Sequence, residues 1–197
     1  AFVSLSPILS IFNAYKIKMK HKHIRSTQEP QIMASIVTTR FNNETIGTNY
    51  AYRKKRNFAC MYCSPSSLSL KIEYKTPVFV IEMNNETNQI AGIGLILNKA
   101  STEKYYKVHA DSNTNRYTYI GTYFMGRDIL RDYNDKLVYY LEEILFKGYT
   151  HSKRGDGLTM FPKKFLNINN DCEINVSADI KNVFIDHFVK NARIIIV

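Results

Sequence analysis

Residues 77–97 limit the fold more than any other stretch of this chain. "PVFVIEM" and "IAGIGLILN" are two apolar runs joined by the polar turn "NNETNQ". Runs of this length, bounded by turn residues, read as the two arms of a β-hairpin. Neither arm alternates. Both are apolar almost throughout, so both faces of each arm must be covered, and the hairpin belongs in the middle of a sheet or barrel. Gly92 and Gly94 inside the second arm predict a bulge, or something approaching the backbone closely.

The elements around the hairpin follow from periodicity and caps. "SIVTTR" and "FACMYC" read as short strands. Between them "NNETIGTNYAYRKKRN" opens on an Asn cap, carries Glu44 in its first turn and ends in four cations, which predicts a helix. "YYKVHA" and "RYTYIGTYF" read as further strands, the second with the period of two. From Gly126 the period changes. Leu130, Tyr133, Leu137, Leu141 and Ile144 mark one helix face, Asp132–Lys136 and Glu143–Lys147 pair on the other, and Gly148 is the stop. "SADIKNVFIDHFVKN" predicts a last helix, capped by Ser177, with His187 on its apolar stripe. Strands first and helices last argue for an α+β domain, a small curled β-sheet or barrel with helices packed on it, the helices mainly C-terminal.

The chain has 197 residues, 45% of them hydrophobic, which fits a single α+β domain over 33–197 with a leader at 1–32. The leader joins an apolar run to "KIKMKHKHIR", whose Lys16, Lys18, Lys20, Lys22 and Arg25 face only Glu29. The apolar run is shorter than the ~20 residues a bilayer needs, so no transmembrane segment is expected. The charges follow it, which is the wrong order for a secretory signal. "MASIVTTRF" at Met33 reads as a natural start, so the leader lies upstream of the mature protein or is an arm that packs on an assembly partner or on an anionic membrane face.

Charge bounds the partners. Lys and Arg number 27 against 17 Asp and Glu, a net charge of +10, with 14 Tyr, 11 Phe and no Trp. Such a balance favours polyanions, nucleic acid first and anionic lipid second. Three cysteines, Cys60, Cys63 and Cys172, make no disulfide framework and point to a reducing, intracellular compartment. Cys60 and Cys63 have zinc-knuckle spacing, but no second such pair exists and a strand would turn them to opposite faces. Glu73, Lys75 and Glu82 are the set a metal-dependent nuclease would need to bring together. There is no phosphate-binding loop motif, dinucleotide fingerprint or nucleophile elbow. No catalytic residue, metal or cofactor is assigned.

The stretch "GYTHSKRGDGLTMFPKKF", residues 148–165, is the strongest candidate for chemistry. Gly155 and Gly157 let backbone amides turn toward an anion. Lys153 and Arg154 bring charge, while Thr150, His151, Ser152 and Thr159 bring donors, and Lys163 and Lys164 extend the basic path. With Arg53, Lys54, Lys55 and Arg56 as a second cluster, and Tyr117 and Tyr119 stacking on bases, the set predicts a non-catalytic domain that binds RNA or single-stranded nucleic acid.

"MASIVTTRFNNET", "PVFVIEMNNETNQIAGIGLILNK", "RYTYIGTY" and "FKGYTHSKRGDGLT" together resemble small proteins of nucleocytoplasmic large DNA viruses. That resemblance covers most of 33–165. It implies a viral protein of the host cytoplasm, viral factory or virion, and so a second expectation: an assembly protein anchored through residues 1–32. "PVFVIEM", its turn and "AGIGLI" are similar to the central hairpin of PUA-like barrels, the group of the ASCH, EVE and YTH domains. This implies RNA or modified-base binding, with Gly92, Ile93 and Gly94 beside the ligand and Tyr117, Tyr119 or Tyr123 stacking. The chain departs from the YTH pattern in having no Trp for an aromatic cage.

Overall fold

The computed structural model describes residues 34–101, 104–168 and 174–190. The leader at 1–32, the assembly partner expected on it, and Cys172 lie outside the described residues. In chain order the elements are β1 (Ser35–Phe41), α1 (Asn43–Arg56), β2 (Cys60–Ser64), β3 (Pro77–Asn84), β4 (Gln89–Leu97), β5 (Tyr117–Gly121), β6 (Tyr123–Gly126), α2 (Arg127–Phe146), β7 (Thr159–Met160), β8 (Asn167–Ile168), β9 (Ile174–Asn175) and α3 (Val176–Ile185).

The expected hairpin is central. The main sheet runs β6-β4-β3-β1-β7, with β1 parallel to β3 and the other neighbours antiparallel. Every residue of β3 is buried, as a strand covered on both faces must be. On one face Phe79, Ile81, Ile93 and Leu95 meet Leu137, Leu141 and Leu145 of α2 and Ile180 and Phe184 of α3. On the other, Val37, Val78, Val80 and Ile96 meet Cys60, Tyr62 and Tyr119 of a separate β2–β5 ribbon. The domain is thus α+β in three layers. Its five-stranded sheet is open, so the expected alternative of a closed barrel does not hold.

Gly92 and Gly94 are explained by close approach. A Cβ on Gly94 would lie 2.0 Å from the Tyr62 hydroxyl, and one on Gly92 would lie 2.5 Å from both the Phe124 ring and the Met125 carbonyl oxygen. A register shift between Glu82 and Met83, opposite Gly92, supplies the expected irregularity.

Four local expectations need correction. "YYKVHA" is no strand, because Asn115 folds that segment into a closed loop, accepting from the amides of Val108 at 3.1 Å and His109 at 3.0 Å. "RYTYIGTYF" is two strands that break at Thr122 and join different sheets. α2 kinks at Asn134 (φ −157°, ψ 83°), whose side chain recaps the second half by accepting from the Leu137 amide at 2.9 Å. Arg131–Asp135 forms on its outer face in place of Asp132–Lys136, while Glu143–Lys147 forms as expected. Finally, α3 is capped by Asn175, not Ser177, through the Ala178 amide at 2.9 Å.

Cys60 and Cys63 do face opposite sides of β2, in separate clusters. Burial, reinforced by the Glu82 charge, pushes the Cys60 thiol up to about 12, and burial pushes Cys63 up to about 11. In the unfolded chain both ionise near 9. Between pH 9 and 11 the unfolded state therefore releases protons that the folded state keeps, so stability must fall as pH rises. Denaturant titrations at rising pH should show this decline starting near 9, with both thiols unreactive to alkylation until the chain unfolds.

Candidate nucleic-acid interface

α1 leaves the carboxyl end of β1 through a reciprocal cap. The Asn42 side chain accepts from the Thr45 amide at 2.7 Å, and the Thr45 hydroxyl accepts from the Asn42 amide at 3.0 Å. It stops at Asn57, which takes the left-handed conformation (φ 57°). Its last turn carries Arg53, Lys54, Lys55 and Arg56, at the end where the helix dipole favours cations.

Arg53 is not a surface cation, which corrects its expected place in a phosphate-contacting cluster. It is 5% exposed. Its Nη1 donates to Glu82 Oε1 at 2.8 Å and to Asn49 Oδ1 at 3.3 Å, and its Nη2 donates to the Ala59 carbonyl. The guanidinium lies over the rings of Phe124 (4.3 Å) and Tyr50 (4.7 Å). Burial, the largest influence, works against its charge, and the Glu82 carboxylate together with Tyr62, Cys60 and Tyr50 outweighs it, so its pKa is raised. The helix period separates the four: Arg53 points inward, while Lys54, Lys55 and Arg56 are exposed.

A second segment joins these three. Phe58 and Tyr106 meet edge to face with centroids 6.0 Å apart, and with Tyr52 they pack on Met61, Cys63 and Val108. This contact sets residues 104–108 beside the end of α1. Lys104 lies over the Tyr106 ring at 5.8 Å and Arg56 over Tyr52 at 5.7 Å, while Lys107 and Tyr105 are exposed. Neither 50–60 nor 104–109 contains a carboxylate; Glu103 lies outside the described residues. The result is a surface of cations interleaved with rings. Sequence reading missed Lys104, Tyr105 and Lys107, although "KYYK" carried the signal, because the stretch was read as a strand.

The loop at 148–165 is braced and divided. Arg40 Nε donates to the Ser152 carbonyl at 2.7 Å, Asn85 Nδ2 to the Lys153 carbonyl at 3.0 Å, and the Ser152 amide to the Leu145 carbonyl at 2.7 Å. Lys153 Nζ donates to Asn88 Oδ1 at 2.7 Å, and His151 Nδ1 accepts from the Lys153 amide at 3.3 Å. Gly155 (φ 116°) lies against the Arg40 guanidinium, and Gly157 (φ 61°) against Ser64, where a Cβ would come within 2.2 Å of the hydroxyl. Thr150 and Arg154 are exposed. Lys163 and Lys164 are exposed too, but they follow β7, which runs antiparallel to β1 and carries them to its other end. The continuous basic path expected from Lys153 to Lys164 is therefore not formed. Nor does the loop join the patch on α1. It sits at the amino end of a 14-residue helix, about 20 Å from Lys54–Arg56.

Tyr119 does not stack on a ligand, correcting that expectation. It is 2% exposed, and its hydroxyl accepts from the Leu68 amide at 2.9 Å. Tyr117 is half-buried against the same cluster, with Arg116 over its ring at 5.7 Å. The nuclease set does not converge: Glu82 is fully buried and ion-paired, whereas Glu73 and Lys75 lie in the loop before β3. Among the described residues no group of three or more His, Cys, Asp or Glu could hold a metal, and no helix is long and apolar enough to cross a membrane. No protein-family model, curated protein or solved structure matches the chain, so its kinship is carried by no finding beyond its own residues.

Proposed function

We propose that this chain is a non-catalytic nucleic-acid-binding domain whose contact surface is the patch formed by the end of α1 and residues 104–108. The packing of Phe58 on Tyr106 carries the reading, because it turns two separate basic stretches into one surface. Lys54, Lys55, Arg56, Lys104 and Lys107 meet phosphates there. Tyr105, 59% exposed, offers a ring to an unstacked base. Single strands suit this surface better than duplexes, because a duplex keeps its base faces out of reach of a ring. The reading requires neither a PUA-like barrel nor the arm at 1–32.

The test is fluorescence anisotropy with labelled single-stranded RNA, single-stranded DNA and duplex DNA over a salt series. Log affinity should fall linearly with log salt, and Lys54→Ala with Lys107→Ala should make that slope shallower by about 0.7 for each phosphate that is no longer neutralised. Tyr105→Ala should weaken single strands about tenfold with the slope unchanged. Lys163→Ala with Lys164→Ala, away from the patch, should change little. Absence of binding near 50 mM salt, or patch variants indistinguishable from wild type, would refute the proposal.

A further inference from the structure

A cleft of about 430 Å³ opens where β1 ends, between the first turns of α1, the 109–114 loop and Asp156–Gly157. Its Asp156–Gly157 wall belongs to the loop at the amino end of α1, and its opposite wall, at Thr48 and His109, adjoins the patch. Thr48 in its wall and Tyr52 in the patch are one turn apart on α1, and His109 in its wall follows Lys107 by two residues. A strand lying on the patch thus passes the mouth of the cleft, whose volume is in the range of small-ligand sites.

The lining rejects phosphate and welcomes donors. Glu44, Asp111 and Asp156 line it with one guanidinium, that of Arg40, and of the three Asp156 acts on that guanidinium through its charge. Asp111 is occupied within its own turn: one oxygen accepts from the Asn113 amide, the other from the Thr114 amide and hydroxyl. The carboxylates of Glu44 and Asp156 are exposed and form no hydrogen bond or ion pair with the described residues. Arg40 is fixed by Nε on the Ser152 carbonyl and Nη1 on the Thr159 hydroxyl (each 2.7 Å), while its Nη2 makes no hydrogen bond to the described residues. Two carboxylates free of hydrogen bonds, in a cleft that also holds an immobilised guanidinium, call for a ligand with adjacent donors on one edge and acceptors on another.

Resting on the nucleic-acid reading above, we infer that the cleft takes a guanine base unstacked from the bound strand. Guanine is the base that offers two neighbouring donors, N1–H and the N2 amine, to a single carboxylate, and it also presents O6 and N7 to an arginine. Adenine and cytosine offer one amino group each, and uracil only an imide N–H. Thr45, Thr48 and Thr114 add hydroxyls that either donate or accept.

Anisotropy with oligouridine, the same strand carrying one central guanosine, and the same strand carrying inosine there tests this directly. The guanosine strand should bind about tenfold tighter than oligouridine, and inosine, which lacks the N2 amine, should lose most of that gain. Glu44→Gln with Asp156→Asn should abolish the preference while leaving oligouridine affinity and its salt slope as in wild type. Lys54→Ala with Lys55→Ala should weaken all three strands alike and keep their ratio. Equal affinities for all three strands, with salt-dependent binding intact, would overturn the guanine site and leave the patch standing. Absence of binding by any strand would overturn both.

Discussion

Glu82→Ala should lower the free energy of unfolding by about 3–5 kcal/mol, the usual cost of removing one partner from a buried ion pair. Glu82 has no exposed surface and sits in β3 beneath α1. Its Oε1 accepts from Arg53 Nη1 and from the Tyr62 hydroxyl, and its Oε2 from the Tyr50 hydroxyl, each at 2.8 Å. Without the carboxylate, a buried guanidinium and the fully buried Tyr62 phenol lose their acceptor together. The alanine also leaves a void where Arg53, Tyr62 and the chain opposite at Gly92 converge. Urea denaturation should show a lower midpoint with an unchanged slope. Glu82→Leu with Arg53→Met should recover much of the loss, because it removes the charge along with its partner. A cost under about 1 kcal/mol for Glu82→Ala would mean that the network does not hold α1 on the sheet.

Gly121→Ala should cost about 3 kcal/mol or more, while the same substitution at Gly47 should stabilise by about 0.5–1 kcal/mol. A Cβ on Gly121 would lie 2.1 Å from the Leu95 carbonyl oxygen and 2.6 Å from Cys60 Sγ. The first of these is backbone of the central sheet, which cannot swing aside as a side chain can. Gly121 is also the last residue of β5, next to Thr122, where the chain leaves the ribbon for the main sheet. Nothing lies within 4 Å of a Cβ on Gly47, which is exposed inside α1. There alanine only restricts the unfolded chain and improves helix propensity. Thermal melts of the two variants should move in opposite directions. A Gly121→Ala protein as stable as wild type would show that the ribbon is free to slide on the sheet.

Local signals in the sequence located most elements. The hairpin, α1 with its Asn cap, and the helical face from Leu130 to Leu141 rest on periodicity and caps, which neighbours in sequence determine. What sequence reading missed depends on distant contacts. Nothing within "RYTYIGTYF" says that Thr122 divides two sheets, because the cause is the pairing of β5 with β2 and of β6 with β4. Arg53 reads like its three cationic neighbours, and only the arrival of Glu82, 29 residues later, shows that it turns inward. Tyr119 looks like an exposed strand aromatic until Leu68 donates to it across 51 residues. The patch was half visible. Lys54–Arg56 stood out as a charge run, whereas Lys104–Lys107 became part of it through one pair of rings.

The pairing of β1 with β7 also has a consequence for synthesis. Thr38 and Thr159 hydrogen-bond at 3.0 Å across 121 residues. The inner edge of β1 is satisfied once β3 leaves the ribosome, but the outer edge waits for residues 159–160. At roughly 5–20 residues per second, that edge stays open for about 4–15 s, and open edges recruit other chains. Arg40 lies on this strand, and in the finished protein its Nη1 donates to Thr159. Before Thr159 emerges, the same guanidinium is a free cation near the end of an otherwise apolar and hydroxyl-bearing strand. A residue that braces the completed fold is thus also a charge on an edge that stays open during synthesis, the kind of residue that disfavours edge-to-edge pairing.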